Sequence, residues 1–583
     1  MSKGLLMAAC ALVGAVACGP HKMGGDDTGS GSDGDTITVS PATSDLQIVN
    51  GIPGTEPFSA TLVHPDGSKE DITAGTTFGI DNFGSFTGNT LSMTGGGKAT
   101  VYAAYGEATG TAEVIGHLQI TRVDGSLGSD VPSMFGAGSD DPSRVPAIVY
   151  PPVNTIMPRN IGDFEVHWTD ASNNDVWEVS LHTAYSDVYV YVPASAPANF
   201  TAFQPAEWAQ AVGAEDSVDF QVRGMSSAAP GLIGSAPLQT VQLSNEDMNG
   251  GLYYWSSHAT DMSAYGIFRH DMSKPGQPAE EFMTTDQTSG RCVACHVLSK
   301  DGTKMAITYD GGGGAATFID VASATPQAST GAWNFGAFVP DGTEFFSVEN
   351  GAMVLRNYTD QSVIATVPTL AGATASQPDV ASNGSLLYVV TNDGGAWPNG
   401  QADWSLLGGQ IVVQSFDQTS NTFGTPTVLV ADGNNNYYPS WSPDGQWVLF
   451  NKATDGGTSY NDASTELWVV KADGSQPPVR LANADAAANA TNSWGRWAPF
   501  AQTFGANDEP MFWVTVSSKR DFGVRLVGLG QPQIWMSPFF PDRAAAGMDP
   551  TVPMFRLPFQ DINHNNHIAQ WTQQIVSINA KGK

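Results

Sequence analysis

The chain has 583 residues, of which 41% are hydrophobic and only 14% charged, with 64 glycines and 36 prolines. A single core stops growing at roughly 250 to 300 residues, so several domains are expected, and abundant Gly and Pro favour β-domains with many turns. The net charge of −32 supports solubility and opposes binding to nucleic acid or anionic lipid, so neither is expected as a partner.

The first segment reads as a secretory signal. Lys3 supplies the positive start, and Leu5 to Ala17 is an apolar, small-residue run too short for an ordinary membrane-spanning helix. It ends Ala15-Val16-Ala17-Cys18-Gly19. This resembles a bacterial lipobox, with Ala15 where leucine is usual, and the resemblance implies that Cys18 becomes the lipidated N-terminus. Plain cleavage after Ala17, leaving Cys18 a thiol, is the alternative. Cys10 lies inside the signal. Gly24 to Asp35 is a Gly/Ser/Asp tether without an apolar face. No later run is apolar and long enough to span a membrane. The expected order is signal and lipobox over 1–18, tether over 19–35, then folded domains. The expected place is the cell envelope, as an outer-membrane or surface lipoprotein held only by its lipid.

Residues 36–118 alternate apolar and polar positions between close turns, for example Thr36 to Val39, Phe58 to Val63 and Ala99 to Tyr105. That pattern predicts a small β-sandwich. The stretch from Asp71-Ile72-Thr73 to Gly110-Thr111-Ala112 resembles group 2 bacterial Ig-like domains, which implies a spacer or adhesive module. Residues 119–287 predict a second sandwich, with Phe164 to Trp168 and Val188 to Val192 as strands and Leu252 to Trp255 with Tyr265 to Arg269 as its closing hairpin. The Pro151 to Asn154 opening with Trp168, and the Tyr253-Tyr254-Trp255 strand, are similar to fibronectin type III domains. His167, His182, His258 and His270 fall in or near these strands and read as hydrogen-bonded or surface residues.

Cys292-Val293-Ala294-Cys295-His296 follows. C-x-x-C-H is the attachment pattern of c-type haem: two thiols form thioethers to one porphyrin, and the adjacent imidazole ligates the iron. A structural zinc site needs four ligands, and the sequence holds no second Cys pair. A plain Cys292–Cys295 disulfide is the remaining alternative. Export agrees with haem attachment, which takes place outside the bacterial cytoplasm.

From residue 288 to 583 the chain repeats. The clearest copy is Tyr438 to Phe450, containing Trp441-Ser442-Pro443-Asp444-Gly445, with weaker copies at Phe338 to Ser347 around Asp341-Gly342 and at Val380 to Tyr388 around Asn383-Gly384, a degenerate one starting at Arg496-Trp497-Ala498-Pro499, and a first one at Val297 to Ile307, around Asp301-Gly302, directly after His296. Turn glycines 302, 342 and 384 are 40 and 42 residues apart. A β-pattern with a period near ~40 predicts propeller blades. The Trp-Ser-Pro-Asp-Gly copy resembles the TolB-like, PD40-type propeller repeat. The expected fold class is therefore all-β: two N-terminal β-sandwiches followed by a β-propeller of about six blades. Cys295 and His296 stand where Tyr438 and Pro439 stand in the clearest copy, so the haem motif opens the first blade. C-x-x-C-H joined to a TolB-like propeller resembles a class of exported bacterial proteins, which implies one haem c and no particular substrate.

An electron-transfer haem takes a second axial ligand. Met305 is near in sequence, but it aligns with apolar Phe345, Leu387 and Val448 and reads as a blade-core residue. Propeller closure brings the chain ends together, which favours His564 or His567 in a polar C-terminal loop. His567 is preferred because Ile568 and Trp571 suggest packing on its far side. Met548 and Met554 are outside candidates. No catalytic residue is expected: G-x-S-x-G and H-E-x-x-H are absent. The expected function is electron transfer or redox sensing at the envelope, with an unidentified redox partner protein or surface ligand. The alternative is a haem-free scaffold that binds protein or glycan.

Overall fold

The computed structural model describes residues 34–578, apart from 196–198, 214, 261–264, 311–314, 330, 350–351, 392–405, 460–461 and 488–489. The signal, Cys18 and nearly all of the tether lie outside the described residues. The chain is almost entirely β, and the longest helix among the described residues is Pro205–Val212.

From residue 251 onward the described residues contain six four-stranded antiparallel sheets. One strand of each leads into the centre: β1 (Val293–Leu298), β2 (Asn334–Phe338), β3 (Thr374–Val380), β4 (Asn435–Trp441), β5 (Ser493–Phe504) and β6 (His564–Thr572). Each packs on the next, and β6 packs on β1, which is the arrangement of a β-propeller. Every residue of β4 is buried, because neighbouring sheets cover both of its faces. The hairpin turns explain the repeat. Gly302, Gly342, Gly384 and Gly445 take φ of +75°, +68°, +87° and +66°. The residue before each glycine accepts a bond from the backbone N–H two positions on, as Asp301 does from Thr303 at 3.0 Å and Asp444 from Gln446 at 3.0 Å.

The hairpin expected to close the second sandwich belongs elsewhere. Gly251–His258 pairs with β6, Gly251 opposite Thr572 and His258 opposite His564, and Gly266–Asp271 and Glu280–Thr284 complete that sheet. Alternation gives a strand its faces but not its partner, and here the partner is more than 300 residues away. The boundary expected at 118/119 also moves. Strand Ala108–Val123 pairs antiparallel with Gly97–Tyr105, and parallel with both Thr43–Val49 and Ser186–Pro193. The strand runs unbroken across residue 118 and pairs with both modules, so the two N-terminal modules share one sheet. The second module shares a core with the sheet of β5: His167 stacks edge-on to Phe522 at 4.6 Å, Glu165 pairs with Arg525 at 2.9 Å, and the backbone N–H of Arg556 donates to Tyr150 Oη at 3.1 Å.

The leading strands share a further irregularity. Phe335, Gln377, Tyr438, Trp494 and Ile568 have φ of +40°, +53°, +47°, +54° and +58°, each where the pairing register slips. Bulky side chains disfavour this conformation, so the surrounding packing must impose it. The bulges bring rings from different sheets together: Trp494 stacks on Tyr438 at 4.1 Å and on Phe335 at 6.1 Å. β2 and β5 are not neighbours in the ring, so their side chains meet at its axis and plug it.

Trp494→Ala should therefore lower the unfolding free energy by about 3 to 5 kcal/mol, read as a fall in the urea midpoint by far-UV circular dichroism. A loss below about 1 kcal/mol would mean that the plug does not hold the ring.

Candidate functional site

Cys292 precedes β1, and Cys295 and His296 lie within it. Val293 pairs with Tyr309 and His296 with Ile307, so the two residues between them bulge against Thr308. Cys295 stands seven residues before Gly302, as Phe335, Gln377 and Tyr438 stand before their own turn glycines. The first sheet thus places a thiol where the others place plug side chains. The two cysteines are not joined by a disulfide. Cys295 is part-exposed as a residue, but its thiol is enclosed: burial pushes its pKa up to about 11, against a lowering by a bond to Thr308, and the thiol of Cys292 is close enough to add to the rise.

His567 is brought to the strand next to β1, as ring closure predicts, although it sits within β6 and not in a polar loop. It lies opposite Trp255, whose Nε1 donates to the Val293 carbonyl at 3.1 Å. Its Nε2, however, is 3.0 Å from Ser493 Oγ on β5, so the ring engages the neighbour on the other side. Burial, then the nearby Lys519, lowers its pKa to about 3 and keeps it neutral. His564 is bonded through Nδ1 to Ser256 Oγ at 2.9 Å, its ring 4.9 Å from that of His258. Met305 is fully buried in the core between the sixth and first sheets, among Tyr253, Phe282 and Ile307, so its thioether is spent on packing. Met554 is a core residue, and Met548 is exposed.

A haem fits this segment in chemistry but not in space. Two thiols and an adjacent imidazole are the right donors. His296 is only 2% exposed, and none of the described cavities is lined by it or by either cysteine. The nearest, at one mouth of the central channel, holds about 170 Å³ and is lined by Val297 and Leu298. Pockets for drug-sized ligands run from about 300 Å³ upward, so this one is too small for a porphyrin. Among the described residues no cluster of three or more His, Cys, Asp or Glu is arranged around a metal ion.

That channel mouth was not anticipated from the sequence. Its walls include Arg496, Trp441 and Gln570. Arg496 precedes Trp497 as Ser440 precedes Trp441, so a charge at this repeat position was the available signal.

No protein-family model matches the chain, and no curated protein matches it. Among solved structures it is similar to TolB from Acinetobacter baumannii, at 13% identity and TM-score 0.37 over 61% of this chain and 79% of that one. It is also similar to a putative TolB from Agrobacterium tumefaciens, at 14% identity and TM-score 0.32 over 56% of this chain and 99% of that one. The dihydro-heme d1 dehydrogenase NirN in complex with DHE is a third, at 12% identity and TM-score 0.28 over 50% and 59%. Likenesses at this level establish neither family nor activity.

The buried histidine predicts a pH dependence. The folded protein keeps His567 neutral down to about pH 3, whereas the unfolded chain protonates it near 6.5. The unfolded state therefore binds the proton first as pH falls, and stability declines between those values by at most ~1.4 kcal/mol per pH unit. Urea unfolding at pH 7 and pH 5 should show the loss, and His567→Gln should reduce it. Part of the slope should remain from His270, whose pKa burial lowers to about 4. An unchanged slope in the variant would exclude His567 as a source.

Proposed function

We propose that the protein is an exported, envelope-located β-propeller of six blades, anchored through Cys18, whose Cys292 to His296 segment attaches one c-type haem for electron transfer or redox sensing. Cys292 and Cys295 would form the thioethers, and His296 would ligate the iron. The observation that carries the proposal is the position of C-x-x-C-H at the start of the first leading strand, directly after the chain leaves the last outer strand of the closing sheet, with Cys292 part-exposed ahead of the strand. Since His296 is packed within β1, haem attachment requires this short segment to leave the ring. His567, bonded to Ser493, would give up that bond to act as second ligand.

A second reading, a haem-free scaffold that binds protein or glycan, is favoured by the close packing of His296. Expression with export and a cytochrome c maturation system separates the two. The haem reading predicts covalent haem by mass and a reduced c-type spectrum, both abolished by Cys292→Ala with Cys295→Ala. A haem-free product carrying a Cys292–Cys295 disulfide would overturn it. With haem attached, His567→Ala should give a high-spin spectrum, and an unchanged spectrum would remove His567 as a ligand.

A further inference from the structure

One mouth of the central channel is built from all six leading strands or the residues just after them, and on five of those strands the plug residue lies one or two positions earlier. The result is a blind cavity. Its polar groups divide into satisfied and unsatisfied ones. The indole N–H of Trp497 donates to the Ser440 carbonyl at 3.1 Å, and that of Trp571 to Thr515 Oγ1 at 3.0 Å. Asp379 is occupied by backbone donors, Oδ1 by Val380 N at 2.9 Å and Oδ2 by Trp441 N at 2.7 Å.

Three donors in the same walls are different. Trp441 Nε1 and Gln570 Nε2 are buried with no acceptor. The guanidinium of Arg496 donates to the carbonyl of Gly495 at 2.8 Å and, among the described residues, makes no direct ion pair, although the bonded Asp379 carboxylate is close enough for its charge to act on it. Lys300 adds a second positive charge to the lining. Buried donors without acceptors are costly to a fold, and here they gather in one cavity with a cation in a chain of net charge −32.

We infer that this channel mouth is a binding site for a carboxylate, held by Arg496 together with the indole N–H of Trp441 and the side-chain amide of Gln570. A guanidinium with neighbouring N–H donors matches a carboxylate's two oxygens. The carboxylate of Asp379 in the same lining disfavours a dianion such as phosphate. The volume of about 170 Å³ admits a small acid or the last residue of a peptide, not a larger ligand.

The test titrates the whole exported protein with three probes: benzoate, N-acetyl-Ala-Phe, and N-acetyl-Ala-Phe amide. Calorimetry and tryptophan fluorescence, at low salt, provide the readouts. Saturable binding of benzoate identifies a free small acid, and binding of the peptide acid alone identifies a chain terminus; either supports the site. Arg496→Met should weaken the bound acid at least ~tenfold, and Gln570→Leu, which keeps the guanidinium, should weaken it by a smaller factor. If Arg496→Met does not fold, Gln570→Leu and Trp441→Phe carry the comparison. No saturable binding of either acid, equal binding of the peptide amide, or wild-type affinity in the folded variants would overturn the assignment.

Discussion

The structure depends on closing a ring with strands from two distant parts of the chain. A row of sheets leaves exposed edges, and joining the last to the first removes them. Here β6 comes from the end of the chain and its three partners from residues 251–284. Everything between is held in the ring by that pairing. The seam is reinforced beyond the sheet: Gln573 N donates to the Lys300 carbonyl at 3.0 Å, and the chain after β6 presses on the first hairpin turn. At that turn a Cβ on Gly302 would lie 2.8 Å from the Gln574 carbonyl oxygen. The glycine therefore serves both its φ of +75° and the approach of the C-terminal segment. The Cys segment sits beside this seam, because the chain passes through it on leaving the closing sheet for β1.

The ring is rigid at its axis for a second reason. Five left-handed bulges direct Phe335, Gln377, Tyr438, Trp494 and Ile568 inward. Their conformational cost is met by mutual packing and by bonds such as Tyr438 N to Gln377 Oε1 at 2.7 Å. Cys295 stands at the plug position of β1, and the buried, neutral His567 directly precedes that of β6, whereas the open mouth beyond the plug holds Arg496, Trp441 and Gln570. The same repeat position therefore sets both the packing and the depth of the open mouth.

Much of the ring was legible in the sequence. Asp-Gly and Asn-Gly turns at near-constant spacing mark local structure, since a hairpin is specified by residues adjacent in the chain. The alignment of Met305 with Phe345 and Leu387 correctly marked it as core. What failed was long-range. Leu252 to Trp255 alternates in the same way whether its partner lies in a sandwich or at residue 567, and nothing local distinguishes the two. Residues 108–123 form one unbroken strand through two modules, so no turn marked the join. For the site, closure correctly brought His567 beside β1, but the sequence held no sign that Ser493 would take its Nε2. Nor could it show that His296 would be packed away, because burial of a motif depends on its neighbours in space.

The central claim is that residues 251–258 and 564–572 form one cooperative unit that closes the ring and carries the Cys segment on its flank. Native-state hydrogen exchange of the full chain tests it most directly. Amides of both segments should be lost together, at the free energy of global propeller unfolding. Exchange of 251–258 in step with strands 164–169 and 176–182 of the N-terminal module, while 564–572 opens early and alone, would contradict it.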